Sequence, residues 1–175
     1  MGRSVRSSSG SLAGQDRKVR VDKKNYYLTQ KEWAMLNWIK KESTKHQVRF
    51  DTFIPGDRAT IHIGLRSDEY FAPGSADLQP GAEDKILEAL DDQYKEGLKE
   101  VLVQGHTDDV PLRKGSVHAS NWELSALRAA RVARVMIDRL KIPPERVAAT
   151  GFGEFRPKVA NSEGDVARGQ NRRVE

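Results

Sequence analysis

Val101-Leu102-Val103-Gln104-Gly105-His106-Thr107-Asp108-Asp109, followed by Ser120-Asn121-Trp122-Glu123-Leu124-Ser125-Ala126-Leu127-Arg128-Ala129, is the stretch that decides the fold. Val101, Leu102 and Val103 make a short strand that runs into a polar loop at Gly105. Ser120 with Glu123 is an S-x-x-E capping box, which opens a helix over about 121–140. At 100° per residue, Ser125, Ala129, Val132, Met136 and Leu140 fall on one stripe while Arg131, Arg134 and Asp138 point away. Arg128 lies on the border of that stripe. A strand thus delivers an acidic loop, and a helix with one apolar face carries an arginine back beside it.

Upstream, Ala59, Ile61, Ile63 and Leu65 alternate with Arg58, Thr60, His62 and Gly64, the period of a strand with one buried face. Phe71-Ala72-Pro73-Gly74-Ser75 marks a turn. Pro80 suits the first turn of a helix, and Ile86, Ala89, Leu90, Tyr94 and Leu98 recur at helical steps, predicting a helix over about 80–96. Downstream, Pro143-Pro144 ends the second helix. Arg146 to Thr150 reads as a strand, Gly151-Phe152-Gly153 breaks it, and after a polar loop Arg172 to Glu175 reads as a last strand. The order β, α, β, α, β, loop, β predicts an α+β fold, a two-layer α/β sandwich with helices on one face of a mixed sheet.

Before this domain, assigned to 58–175, the chain divides in two. Residues 1–24 are rich in Ser, Gly, Arg and Lys and are expected to be a flexible basic leader. Residues 25–57 are expected to be a helical linker, because Thr29-Gln30-Lys31-Glu32 is a capping box ahead of Trp33, Met35, Leu36, Trp38 and Ile39, giving a helix to about Ser43.

Charge narrows the partners. The 175 residues carry a net charge of +5, and residues 1–24 account for all of it with seven Lys or Arg against two Asp. The remainder holds 23 basic and 23 acidic side chains and is neutral. Binding a phosphate backbone needs a basic face on the folded part, so nucleic acid is not the expected target. The chain has no cysteine, which excludes a disulfide framework and Cys-based zinc sites. No apolar run approaches the roughly 20 residues that span a bilayer, and the start does not read as a signal peptide.

Several constellations bear on chemistry. His106, Asp108 and Asp109 are of metal-ligating type, but no second histidine stands at helical spacing from His106. Asp108 with Asp109 or Glu123 is of the type used in glycoside hydrolysis, which also needs a cleft of sugar-stacking aromatics, and candidates are few. Gly151-x-Gly153 lacks the third glycine and the helix of a nucleotide loop. The pairing of Asp108 with Arg128 carries more. An arginine at the edge of an apolar stripe is costly to bury without an acidic partner. Two readings stand open on the residues alone: an internal ion pair between the two, or a clamp in which Asp108 meets a ligand's ammonium and Arg128 its carboxylate.

Gly105-His106-Thr107-Asp108, Leu124-Ser125-Ala126-Leu127-Arg128-Ala129, Gly151-Phe152-Gly153-Glu154 with Pro157, Asn161, Arg168 and Asn171-Arg172-Arg173-Val174-Glu175 together resemble the OmpA-like peptidoglycan-binding domain. Phe71 to Leu78 is similar to that family's opening turn. Gly105 to Pro111, Ser120 to Ser125 and the insert Val110 to Ser120 look most like its MotB-type flagellar stator branch. The resemblance implies a βαβαβ-like core, no cofactor, no metal and no catalysis. Its ligand would be the peptide stem of peptidoglycan, gripped at diaminopimelate. Asp108 would take the ammonium and Arg128 the carboxylate, with Thr107, Leu124, Asn171 and Arg172 lining the pocket.

The resemblance further implies a homodimer in the periplasm, anchored to the inner membrane by a segment absent from this chain and joined there to a motor partner. The alternatives it leaves are another OmpA-like wall anchor, in an outer-membrane protein, a lipoprotein or a non-flagellar motor or defence system, and a wall hydrolase using Asp108 or Glu123. One departure concerns the loop 161–170, where Ala167 stands in place of a glycine common in the family and Asp165-Val166 add length.

Overall fold

The computed structural model describes residues 17–21, 24–28, 33, 37, 49–52, 60–90 and 100–175. Its elements are β1 (Arg17–Val21), β2 (Lys24–Leu28), β3 (Arg49–Thr52), β4 (Thr60–His62), β5 (Leu65–Arg66), α1 (Ser67–Tyr70), α2 (Ala82–Leu90), β6 (Val101–His106), α3 (Asn121–Asp138), β7 (Val147–Gly151), α4 (Asp165–Asn171) and β8 (Arg173–Val174). The central sheet has the order β5-β8-β6-β7. β8 runs antiparallel to both β5 and β6, whereas β6 and β7 are parallel, so the sheet is mixed as expected. Backbone bonds between Glu175 and Gln104, at 2.7 and 2.8 Å, carry the β8–β6 ladder to the last residue.

The helices lie on one face. Val103 on β6 points into the core with Leu65 and Val174, while Leu102 on the opposite face is exposed. α3 supplies Ala129, Val132, Val135 and Met136 to that core, and α2 supplies Ile86 and Ala89. Burying Ile86 in full contributes about 1.5–3 kcal/mol. The capping box forms as the spacing requires: Ser120 Oγ accepts from the Glu123 amide at 3.3 Å, and Glu123 Oε2 accepts from the Ala119 amide at 2.8 Å.

Gly105 and Gly151 are paired in register across β6 and β7, and α3 lies directly on them. A Cβ at Gly105 would come within 2.7 Å of the Ser125 carbonyl carbon, and one at Gly151 within 2.7 Å of the Ala126 Cα. Only hydrogen fits at either place. Ser125 seals the junction, donating to the Trp122 carbonyl at 2.8 Å and accepting from the Gly153 amide at 2.9 Å.

Four features differ from the sequence expectation. The single strand at 58–65 is two: β4 pairs with β3, and after a break at Ile63-Gly64 only β5 joins the central sheet. Residues 17–21, expected in a flexible leader, form β1, paired antiparallel with β2; Val19, Val21, Tyr26 and Tyr27 are the β-favouring types that permit it. β3 likewise falls inside the segment expected to be a helical linker. The polar loop before the last strand contains α4, which follows Gly164 at φ +94 and carries Asp165 in its first turn. Most of the expected helix at 29–43 lies outside the described residues; Trp33 and Asn37, which are described, are helical. The end of the expected helix at 80–96 lies outside the described residues too. No helix among the described residues is long and apolar enough to cross a membrane.

Candidate binding site

The loop after β6, the border of α3, α1 and the C-terminal end of α4 converge at one end of the sheet. Arg128 is only 4% exposed. Its Nε donates to the Ser75 carbonyl at 2.8 Å and its Nη2 to the Ala72 carbonyl at 3.3 Å, with the Phe71 ring 5.2 Å from the guanidinium carbon. The turn at 71–75 therefore holds this arginine through neutral oxygens. No carboxylate among the described residues lies within ion-pair distance of it. Burial lowers its pKa to about 10, with Arg172 nearby acting in the same direction and Asp68 and Asp108 opposing.

Asp108 does not pair with Arg128. Its Oδ2 accepts from Arg172 Nη1 at 2.6 Å and its Oδ1 from the Val110 amide at 3.3 Å. The Asn121 amide fixes the same loop by donating to the carbonyls of Asp108 at 3.5 Å and Val110 at 3.0 Å. Arg172 also grips Asp68 on α1, through Nε at 2.9 Å and Nη2 at 2.8 Å. The Asp68 carboxyl is held below the usual carboxylate range, first by that hydrogen bond, and the same two aspartates raise the Arg172 pKa. Arg172 is 32% exposed at its side chain and forms the outer part of the cluster.

The remaining expected site residues are all brought to this end of the molecule, in different roles. Thr107 is buried and its Oγ1 has no hydrogen-bond partner among the described residues; Leu124 is buried one helical turn before Arg128. Asn171 is wholly buried and uses both acceptor and both donor positions: its oxygen takes the amides of Lys158 and Val159 at 2.7 and 3.1 Å, and its nitrogen serves Val159 O at 2.8 Å and Asn161 Oδ1 at 2.7 Å. It fastens the 158–161 loop. Ala167 is buried in α4, and Arg168 on the same helix reaches Asp109 at 3.0 Å.

The metal-type trio diverges. Asp108 turns to Arg172, Asp109 to Arg168, and the His106 ring stacks on Phe152 at 5.3 Å. Both ring nitrogens of His106 are buried without a hydrogen-bond partner among the described residues. Burial first, and then the charge of Arg173, push its pKa down to about 4. Trp122 is exposed and leans on Phe155 at 5.5 Å. Sequence reasoning missed Asp68, whose partner stands 104 positions away, and no local pattern marks it. It also missed Asn121 as a loop clamp, although that residue sits inside the capping motif.

A mixed sheet with helices on one face and a buried arginine beside an acidic loop defines an OmpA-type domain. The chain belongs to the OmpA family, whose model matches residues 70–172. It is similar to Motility protein B of Bacillus subtilis, at 28% identity over 79% of this chain and 51% of that protein. Among solved structures it is similar to a MotB-like protein from Desulfovibrio vulgaris, with a TM-score of 0.67 and 33% identity, covering 83% of this chain and 88% of that one. It is also similar to the cell wall anchor of the T6SS from Pseudomonas aeruginosa, with a TM-score of 0.64 and 28% identity over 79% and 91% of the two chains. The chain spans about half the length of that Bacillus relative.

Proposed function

We propose that this domain binds peptidoglycan without catalysis, gripping a diamino acid of the peptide stem such as diaminopimelate, and so anchors a membrane complex, a flagellar-type motor stator, to the cell wall. The observation that carries the reading is Arg128: a nearly fully buried guanidinium whose hydrogen bonds among the described residues go to neutral carbonyls. A buried charge is costly unless an opposite charge satisfies it, and a ligand carboxylate supplies one in bidentate form. Asp108 stands by to take the ligand's ammonium. The MotB-like relatives and the cell wall anchor support the anchoring role.

Glu123 is spent on capping α3, and Asp108 already holds one cation, Arg172, the role the ligand's ammonium would take over, which favours binding over a wall hydrolase. The domain would lie on the wall side of the inner membrane, joined to its motor partner by a membrane segment, and pairing into a homodimer would multiply a modest single-site affinity. Co-sedimentation with purified sacculi tests the reading. Asp108→Ala and Arg128→Ala, each checked for folding by circular dichroism, are expected to stay in the supernatant. Folded variants that sediment like the parent would remove the pocket assignment, and release of soluble fragments from labelled sacculi would favour the hydrolase.

A further inference from the structure

Arg172 occupies the place that the ammonium of the proposed ligand needs. One nitrogen of its guanidinium is on Asp108, at 2.6 Å, while two are on Asp68, at 2.9 and 2.8 Å. The two-point grip of Asp68 is the firmer of the two attachments. Strand register adds a second observation. Carrying the β5–β8 and β6–β8 ladders one residue past β8 sets Ser67 on one side of Arg172 and Thr107 on the other. The first neighbour is tied by the Ser67 amide donating to the Arg172 carbonyl at 2.9 Å.

The hydroxyls of Ser67 and Thr107 are both buried and both lack a hydrogen-bond partner among the described residues. Buried hydroxyls are seldom left so, and these two bracket a single partly exposed side chain. Ser67 and Thr107 thus flank Arg172 in the strand register with their hydroxyls unused.

Resting on the reading above, we infer that Arg172 is a tethered gate and Asp68 its post, and that together they make the pocket select a zwitterion. A ligand ammonium takes over Asp108. The planar Arg172 guanidinium pivots as a unit on Asp68, which carries the released Nη1 to the ligand's carboxylate beside the hydroxyls of Ser67 and Thr107. A plain amine must break the same contact and leaves Nη1 without an acceptor, so it binds less well. Asp68 acts through Arg172 and is a positioning residue.

Calorimetric titration of the full chain with diaminopimelate and with cadaverine, which has two amines and no carboxylate, tests the gate. Asp68→Asn, Asp68→Glu, Arg172→Gln and Asp108→Ala are compared after thermal melts confirm that each folds. In the parent, diaminopimelate binds and cadaverine is weaker. Arg172→Gln is expected to strengthen cadaverine and weaken diaminopimelate, cutting the ratio of the two affinities by about tenfold, a loss of one charge-assisted contact. Asp68→Asn lowers the ratio in the same sense, and Asp68→Glu restores it. If diaminopimelate binds the parent and is lost in Asp108→Ala, yet the ratio is unchanged in both Arg172→Gln and Asp68→Asn, the gate is overturned while the binding reading stands. If the parent binds neither compound, both fall together.

Discussion

Gly105→Ala adds one methyl group where α3 rests on the sheet, and the structure sets the size of the effect. The new Cβ would lie 2.7 Å from the Ser125 carbonyl carbon and 3.2 Å from its Cα, with the carbonyl oxygen nearer still. Carbon atoms in good contact sit about 3.5–4.0 Å apart, so α3 must retreat by at least about 0.8 Å. Because the obstacle is backbone, no rotamer change relieves it. Overpacking of this kind costs about 1–3 kcal/mol. The retreat also stretches the 2.9 Å bond between Ser125 Oγ and the Gly153 amide, a further net loss of about 1 kcal/mol. The sum is about 2–4 kcal/mol, which at about 4 °C per kcal/mol lowers the melting midpoint by about 8–16 °C. Gly74→Ala is the control. Its φ of +70 strains an alanine, but nothing lies within 4 Å of the added Cβ, so the cost is about 1–2 kcal/mol. Differential scanning calorimetry on both variants decides the matter. A Gly105→Ala protein that melts no lower than Gly74→Ala would refute direct seating of the helix on the sheet.

Further outcomes are expected. His106 titrates at about 4 when folded against about 6.5 when unfolded. The preference for neutral histidine is fully present above about pH 6.5 and is lost as the pH falls through 4, about 3 kcal/mol in all. Urea denaturation across that range should show the slope, and His106→Phe should flatten it; an equal slope in the variant would show that other groups carry it. Ser120→Ala removes the cap of α3 and should cost about 1 kcal/mol in the same assay. Asn171→Ala strands two amides and a carbonyl of the 158–159 loop, at about 3 kcal/mol. Amide hydrogen exchange at Lys158 and Val159 should accelerate most, and unchanged protection there would count against the clamp.

The elements legible in the sequence are those whose cause is local. Ser120 and Glu123 stand three apart and cap α3 as the spacing requires, and the stripe from Ser125 to Leu140 is buried because helical periodicity alone decides which face is apolar. β6 and β7 follow from short apolar runs ended by glycine. α4 was not legible because its seven residues carry no apolar period, and the strand at 58–65 was read whole because alternation cannot tell which sheet each half will join.

Within the site the same division holds. Position on the α3 stripe marks Arg128 as a residue to be buried, and Asp108 follows a strand end into a loop. Which groups meet them is a different matter. Asp68, Asp108 and Arg172 stand 64 and 104 positions apart in their two pairs and are joined only because β8 lies between β5 and β6. Charge pairing has no local period, so the choice of Arg172 over Arg128 as partner of Asp108 belongs to the sheet order. The sequence by itself determined the apolar face and the cap of α3; tertiary structure decided which charges are neighbours and that α3 rests on Gly105 and Gly151, because chain-distant contacts depend on how the elements pack.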